Sequence, residues 1–136
     1  MINFFVEGEP APQGSKTARV VNGRVVMWEA SKKVKPWRDA VTAQALVTML
    51  AYNLKTITEP VELVLDFKLP KPKSVNREFP SVKPDLDKLI RSTCDALTQS
   101  EIYQDDALVI GIGASKTYAT GQTGCYISII EQRFDV

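Results

Sequence analysis

Hydrophobic positions along this chain recur with two different periods, and the switches between them mark its elements. Ile2-Asn3-Phe4-Phe5-Val6 is a short apolar run that stops at Gly8-Glu9-Pro10-Ala11-Pro12-Gln13-Gly14, a cluster that continues neither a strand nor a helix. Thr17 to Val21 and Arg24 to Trp28 flank Asn22-Gly23, the pair that a type I′ turn requires, so they read as a hairpin. A two-residue loop sets Val21 against Arg24, Val20 against Val25, Arg19 against Val26 and Ala18 against Met27. One face then holds Ala18, Val20, Val25 and Met27, and the other carries Arg19 and Arg24.

Helical spacing follows. Lys35 to about Tyr52 places Trp37, Val41, Ala45, Leu46 and Met49 as its apolar positions, with Pro36 in the first turn. Val61 to Leu69 alternates strictly, with Val61, Leu63, Leu65 and Phe67 on one side, and Pro70 ends it. Lys71 to Lys83 is a basic loop without period. Leu86 to Gln99 returns to helical spacing through Leu86, Leu89, Ile90, Cys94 and Leu97. Ala107 to Lys116 and Cys125 to Glu131 read as two further strands joined around Gly121-Gln122-Thr123-Gly124. The order predicts an α+β fold, a mixed sheet with an N-terminal hairpin, covered by two helices. At 136 residues the chain is expected to be a single domain, residues 1–136.

Composition changes this picture mainly by exclusion. Histidine is absent, which removes Ser-His-Asp and Cys-His mechanisms and every imidazole metal site. Cys94 and Cys125 lack metal or redox spacing and sit in helix and strand patterns, so they read as buried, reduced thiols. The N-terminus has no basic leader, and no window approaches the roughly 18 apolar residues of a membrane span. The expected location is the cytosol, with no membrane partner.

The remaining chemistry is carboxylate chemistry. Asp85-Leu86-Asp87 opens the second helix, and Asp105-Asp106 directly precedes the strand expected at Ala107. If the chain is still extended there, Asp85 and Asp87 share a face; if the helix has begun, Asp85 is its N-cap and Asp87 lies in the first turn. Both arrangements keep the two carboxylates close. Whether Asp106 reaches them depends on how the chain returns. Clustered carboxylates are relieved by a hard divalent cation with oxygen ligands, which suits Mg²⁺, with Mn²⁺ as the alternative ion. Such an ion supports phosphodiester hydrolysis without histidine. The plainer reading makes Asp85 and Asp87 helix caps and Asp105-Asp106 a turn. Arg91 stands one turn after Asp87 and Asp95 one turn after Arg91, so Arg91 is either a rung of an exposed ion-pair ladder or a cation held for a scissile phosphate.

Positive charge is concentrated although the net charge is only +1. Lys16, Arg19, Arg24, Lys32, Lys33, Lys35 and Arg38 face only Glu29 between Gly14 and Arg38. Lys68, Lys71, Lys73, Arg77 and Lys83 face only Glu78 in the second basic stretch. An acidic pocket bordered by basic segments suits a protein that positions a polyanion beside a metal.

Asp85-Leu86-Asp87-Lys88-Leu89, Asp95-Ala96-Leu97 and Asp105-Asp106-Ala107-Leu108-Val109, in register from Asp85 to Val109, resemble the RusA family of Holliday junction resolvases. Pro12-Gln13-Gly14 before basic residues is similar to the phage-type members. The resemblance implies a homodimeric, Mg²⁺-dependent endonuclease that nicks symmetric strands of four-way DNA junctions in recombination and repair, in the cytosol of a bacterium or phage-infected host. It implies Asp85, Asp87 and Asp106 as catalytic metal ligands, and it places Arg91 where the family usually has a catalytically important lysine. Lys88 stands where Asn is common. Lys16, Arg19, Arg24, Lys71, Lys73, Arg77 and Lys83 are the expected DNA-binding residues. The competing readings are a metal-dependent nuclease on other branched DNA and a catalytically silent DNA-binding module.

Overall fold

Strict alternation makes Val61–Leu69 the centre of the sheet. In the computed structural model, which describes residues 1–14, 17–28 and 32–132, Val61, Leu63, Leu65, Phe67 and Leu69 are all buried while Glu62 and Val64 are exposed on the opposite face. The strands are β1 (Ile2–Glu7), β2 (Thr17–Val21), β3 (Arg24–Trp28), β4 (Val61–Leu69), β5 (Val109–Tyr118) and β6 (Gly124–Glu131). Four of them form one sheet in the order β1-β6-β4-β5. β6 is antiparallel to both β1 and β4, and β5 is parallel to β4, so the sheet is mixed as the alternation and order predict. A parallel neighbour requires a crossover, and helix α2 (Leu86–Ser100) supplies it. Before β5 proper, Ile57 and Tyr103 extend the same parallel pairing by one bridge.

Helix α1 (Val34–Ala51) contributes Trp37, Val41 and Ala45 to the core, and α2 contributes Leu89, Ala96 and Leu97, beside Ile127 and Ile129 of β6. Two details of the expected stripes are corrected. Leu46 is 45% exposed, because nine residues at 3.6 per turn carry it two and a half turns from Trp37, onto the opposite face. In α2 the most buried positions include Ser92, Thr93 and Ser100, whereas Leu86, Ile90 and Cys94 are only partly buried. Small polar residues are needed there because α1 approaches closely. Trp37 Nε1 donates to Thr93 Oγ1 at 3.1 Å, Thr42 Oγ1 to the Ala96 carbonyl at 3.1 Å, and Ser92 Oγ to the Ala11 carbonyl at 2.6 Å. No described buried side-chain polar atom is left without a partner.

β2 and β3 form their own two-stranded sheet in the register that the Asn22-Gly23 turn dictates, Val21 opposite Arg24 and Val20 opposite Val25. Val20 and Val25 are both mostly exposed. A further correction concerns residues 106–108. A 3₁₀ turn, Asp106–Leu108, intervenes where the pattern predicts the strand to begin, and β5 starts at Val109. No helix among the described residues is long and apolar enough to cross a membrane.

Gly124, which opens β6, has φ +155°, and a Cβ there would meet the Val6 carbonyl oxygen and the Phe5 ring. That oxygen belongs to the paired backbone of β1 and cannot move aside. Gly124→Ala is therefore expected to cost about 2 kcal/mol or more of stability, read as a lower urea midpoint at unchanged slope.

Candidate active site

The acidic motif lies at a junction between loop and helix that other parts of the chain hold in place. Lys116 of β5 donates through Nζ to the Val82 and Pro84 carbonyls, each at 2.8 Å, fixing the backbone that leads into Asp85. Asp85 is the N-cap of α2 with an extended backbone (φ −70°, ψ 139°), and Asp87 falls in the first turn. An Asp in the N-cap position ordinarily accepts from a free N–H of the first turn. The Asp85 carboxylate makes no such bond. Asp105 does: its side chain accepts from Ala107 N at 3.2 Å, so the capping role belongs to the residue beside Asp106. Asp87 is 72% exposed, and among the described residues its ion pair is with Lys88 Nζ at 3.4 Å, a surface pair of little strength. Two exposed carboxylates two residues apart, neither committed to the helix, form an oxygen donor set suited to a hard divalent cation.

Asp106 stands elsewhere. Thr98 Oγ1 donates to Asp106 Oδ1 at 2.6 Å, and Thr98 is in the last turns of α2. At 1.5 Å per residue, Thr98 lies about 16 Å along the helix from Asp87. The Cys94 thiol between them is pushed up to about 11, first by burial and then by the carboxylates of Asp95 and Asp106. Cys125 is also shifted upward, by burial, so both thiols are free and protonated, as expected of packed cysteines. One chain thus brings Asp85 and Asp87 together and holds Asp106 at the other end of the helix. Among the described residues, no group of three or more Asp, Glu or Cys is close enough to hold a metal ion.

Arg91 is exposed, and no ion pair or hydrogen bond to it occurs among the described residues. The ladder expected from spacing does not form, since Asp87 pairs with Lys88 and Asp95 accepts from Gln13 Nε2 at 2.9 Å. The remaining basic positions are spread over two segments. Arg19 and Arg24 are exposed on the hairpin, and Lys71, Lys73, Arg77 and Lys83 on the loop before α2. Lys16 lies outside the described residues. Tyr118 organises the loop: its hydroxyl accepts from Arg77 Nε at 2.9 Å, and Lys71 Nζ lies 5.5 Å from its ring centre.

Two residues of the site carry no local signal in the sequence. Gln13 bonds through its N–H to the Lys88 carbonyl at 3.1 Å, bridges Asp95 by its amide nitrogen and accepts from Arg38 Nη1 at 3.0 Å. It thereby ties the Pro12-Gln13-Gly14 segment to α2, 82 positions away. Lys116 acts over 32 to 34 positions. The nearest hint is Pro12-Gln13-Gly14 itself, whose breakers mark a fixed turn without naming its partner.

The family model described as Endodeoxyribonuclease RusA matches residues 7–130. The chain is also 33% identical over 130 residues to the uncharacterized protein YqaN of Bacillus subtilis (strain 168), covering 87% of this chain and 88% of that one. The match spans every element from the end of β1 to the end of β6, including both acidic motifs, and the chain belongs to the RusA family of endodeoxyribonucleases.

Proposed function

We propose that this chain is a Mg²⁺-dependent, structure-selective endonuclease that works as a homodimer on four-way DNA junctions in recombination and repair, in the cytosol of a bacterium or phage-infected host. The observation that carries the reading is the separation of the acids along α2 beside an uncovered edge strand. β5 is the last strand of its sheet, ten residues long, with Ile110 and Ile112 exposed. A long apolar edge of this kind demands a partner strand. Antiparallel pairing of two copies about a two-fold axis near Gly113 sets the beginning of one β5 against the end of the other. The beginning follows Asp106, and the end carries Lys116, which holds the backbone leading to Asp85. This pairing carries Asp106 of the partner subunit toward the end of the sheet that holds Asp85 and Asp87. Each site is completed by the second copy, and two equivalent sites match the two equivalent strands of a junction.

Asp85, Asp87 and the partner's Asp106 would hold Mg²⁺, or Mn²⁺ in its place. A divalent ion held by these carboxylates would supply polarisation of a phosphoryl oxygen and a lowered pKa for an attacking water. Arg91, one turn from Asp87 and without an ion pair among the described residues, would be the cation that holds the scissile phosphate. The basic hairpin and the Lys71–Lys83 loop then lie along the DNA backbone. Lys71→Ala with Lys73→Ala is expected to weaken junction binding and to flatten its salt dependence by about one unit of log–log slope for each phosphate that the loop no longer neutralises. An unchanged slope in filter-binding titrations from low to high salt would remove this loop from the interface.

The direct test is cleavage of a synthetic four-way junction beside a matched linear duplex, with Mg²⁺ and with chelator. Metal-dependent paired nicks in the junction alone are expected. Equal cutting of both substrates would reduce the reading to a general nuclease, and binding without cutting to a silent DNA-binding module.

A further inference from the structure

Between the start of α1 and the start of α2 lies a cleft of about 520 Å³ that Asp85 lines. Its walls are apolar, with Pro10, Ala11 and Pro12 on the early segment and Pro84 immediately before Asp85. Its rim carries three lysines and two acids: Lys33 at the start of α1, paired with Glu9 at 2.9 Å, Lys83 on the loop, and Lys88 in the first turn of α2 beside Asp85. The early wall is rigid, because Gln13 N bonds to the Lys88 carbonyl and the Ala11 carbonyl accepts from buried Ser92. The opposite wall is held by Lys116 through the Pro84 carbonyl.

We infer that this cleft receives one unstacked nucleobase of the DNA strand being cut. The inference rests on the nuclease reading and adds what that reading leaves open, namely how a branched substrate is distinguished from a duplex. The size is that of a small-ligand site and leaves no room for stacked base pairs. Proline side chains from two segments give apolar surface against which a base can pack, and Lys83 and Lys88 at the mouth suit the phosphates beside it. Asp85 forms one end of the same cleft, so a base seated there puts its neighbouring phosphate beside the candidate metal ligands. Extruding a base from a duplex costs unpairing and unstacking, whereas a branch point has already met much of that cost. Selectivity for branched DNA then arises at the site of chemistry without any base-pair readout.

The test uses a four-way junction with 2-aminopurine at each nucleotide flanking the cut, bound to the full-length protein in chelator. None of the described residues that line the cleft is aromatic, so a base seated there loses the quenching of the stack, and a several-fold rise in fluorescence at one position is expected. Gly14 lines the cleft, and a Cβ added to it meets no heavy atom within 4 Å, so a side chain begins there in open space and Gly14→Leu is expected to narrow the cleft. That change should abolish the rise and slow junction cutting by about tenfold or more. The heat of Mg²⁺ binding should not change. Pro12→Asp, which puts a charge on the apolar wall, should do the same and serves as the second variant if Gly14→Leu does not fold, as judged by circular dichroism. Normal cutting by the unaltered protein with no fluorescence rise at any position, or a rise that survives in a folded variant, overturns the cleft assignment and leaves the nuclease reading standing. A junction that the unaltered protein neither binds nor cuts overturns both.

Discussion

Mixing the Asp85→Asn and Asp106→Asn proteins is expected to restore junction nicking that neither shows alone. Each change replaces one anionic carboxylate ligand by a neutral amide in every site of its own homodimer and is expected to lower cleavage by about 10²-fold or more, the scale of removing one electrostatic stabiliser of the transition state. DNA binding should persist or tighten, since a carboxylate that repels phosphate has been neutralised. If each site takes Asp85 and Asp87 from one subunit and Asp106 from the other, a mixed dimer has one site carrying both changes and one carrying neither. Random assortment makes about half of the dimers mixed, so about a quarter of all sites are intact. A cruciform plasmid should then give nicked circles, because the mixed dimer cuts one strand, and not the linear product of paired cutting. No recovery on mixing, with both proteins still binding junction DNA, would place all three acids in one chain or remove one of them from the site. Asp105→Asn should matter far less, because Asp105 caps the 3₁₀ turn through Ala107 N and does not face the same task as Asp106.

Arg91→Ala is expected to lower single-turnover cleavage by about 10²-fold while leaving junction affinity nearly unchanged. Arg91 is exposed and makes no ion pair with Asp87 or Asp95, so truncating it breaks no structural interaction among the described residues. An exposed guanidinium of that kind contributes almost nothing to stability, and a large effect on rate must come from the substrate. Arg91→Lys separates two roles for the charge. A lysine that keeps the rate means a point cation suffices, whereas a loss approaching that of Arg91→Ala means that planar, two-point recognition of phosphate is required. A rate within twofold of normal for Arg91→Ala would return this residue to the solvated surface.

Much of the architecture is legible in local pattern. The Asn22-Gly23 pair fixes the β2–β3 register residue by residue, because the turn type leaves one pairing. Alternation in Val61–Leu69 gives the buried face of β4, and Pro70 its end. The α1 start is displaced by a single residue, with Pro36 in the first turn as expected. Where local pattern misleads, a distant partner or the helical phase decides. Ser92 and Thr93 replace larger residues at the centre of α2 because Ala11 and Trp37 need both hydrogen bonds and close approach there. Hydrophobicity alone sets Leu46 inside, although its helical phase points it away from the sheet.

The sequence by itself determined the chemistry available: no imidazole, two free thiols, and carboxylates in an order that reads as RusA-like. It also kept Asp85 and Asp87 close together whether the chain there was extended or already helical, the structure making Asp85 the N-cap with Asp87 in the first turn. It did not determine which carboxylates meet. Only the tertiary structure shows that α2 runs its full length between Asp87 and the neighbourhood of Asp106, that Thr98 holds Asp106 there, and that Gln13 and Lys116 fix the two sides of Asp85. The reason is physical. Hydrogen-bond periodicity is local and is written in adjacent residues, whereas the distance between two side chains follows from how rigid helices and strands pack, which no single segment encodes.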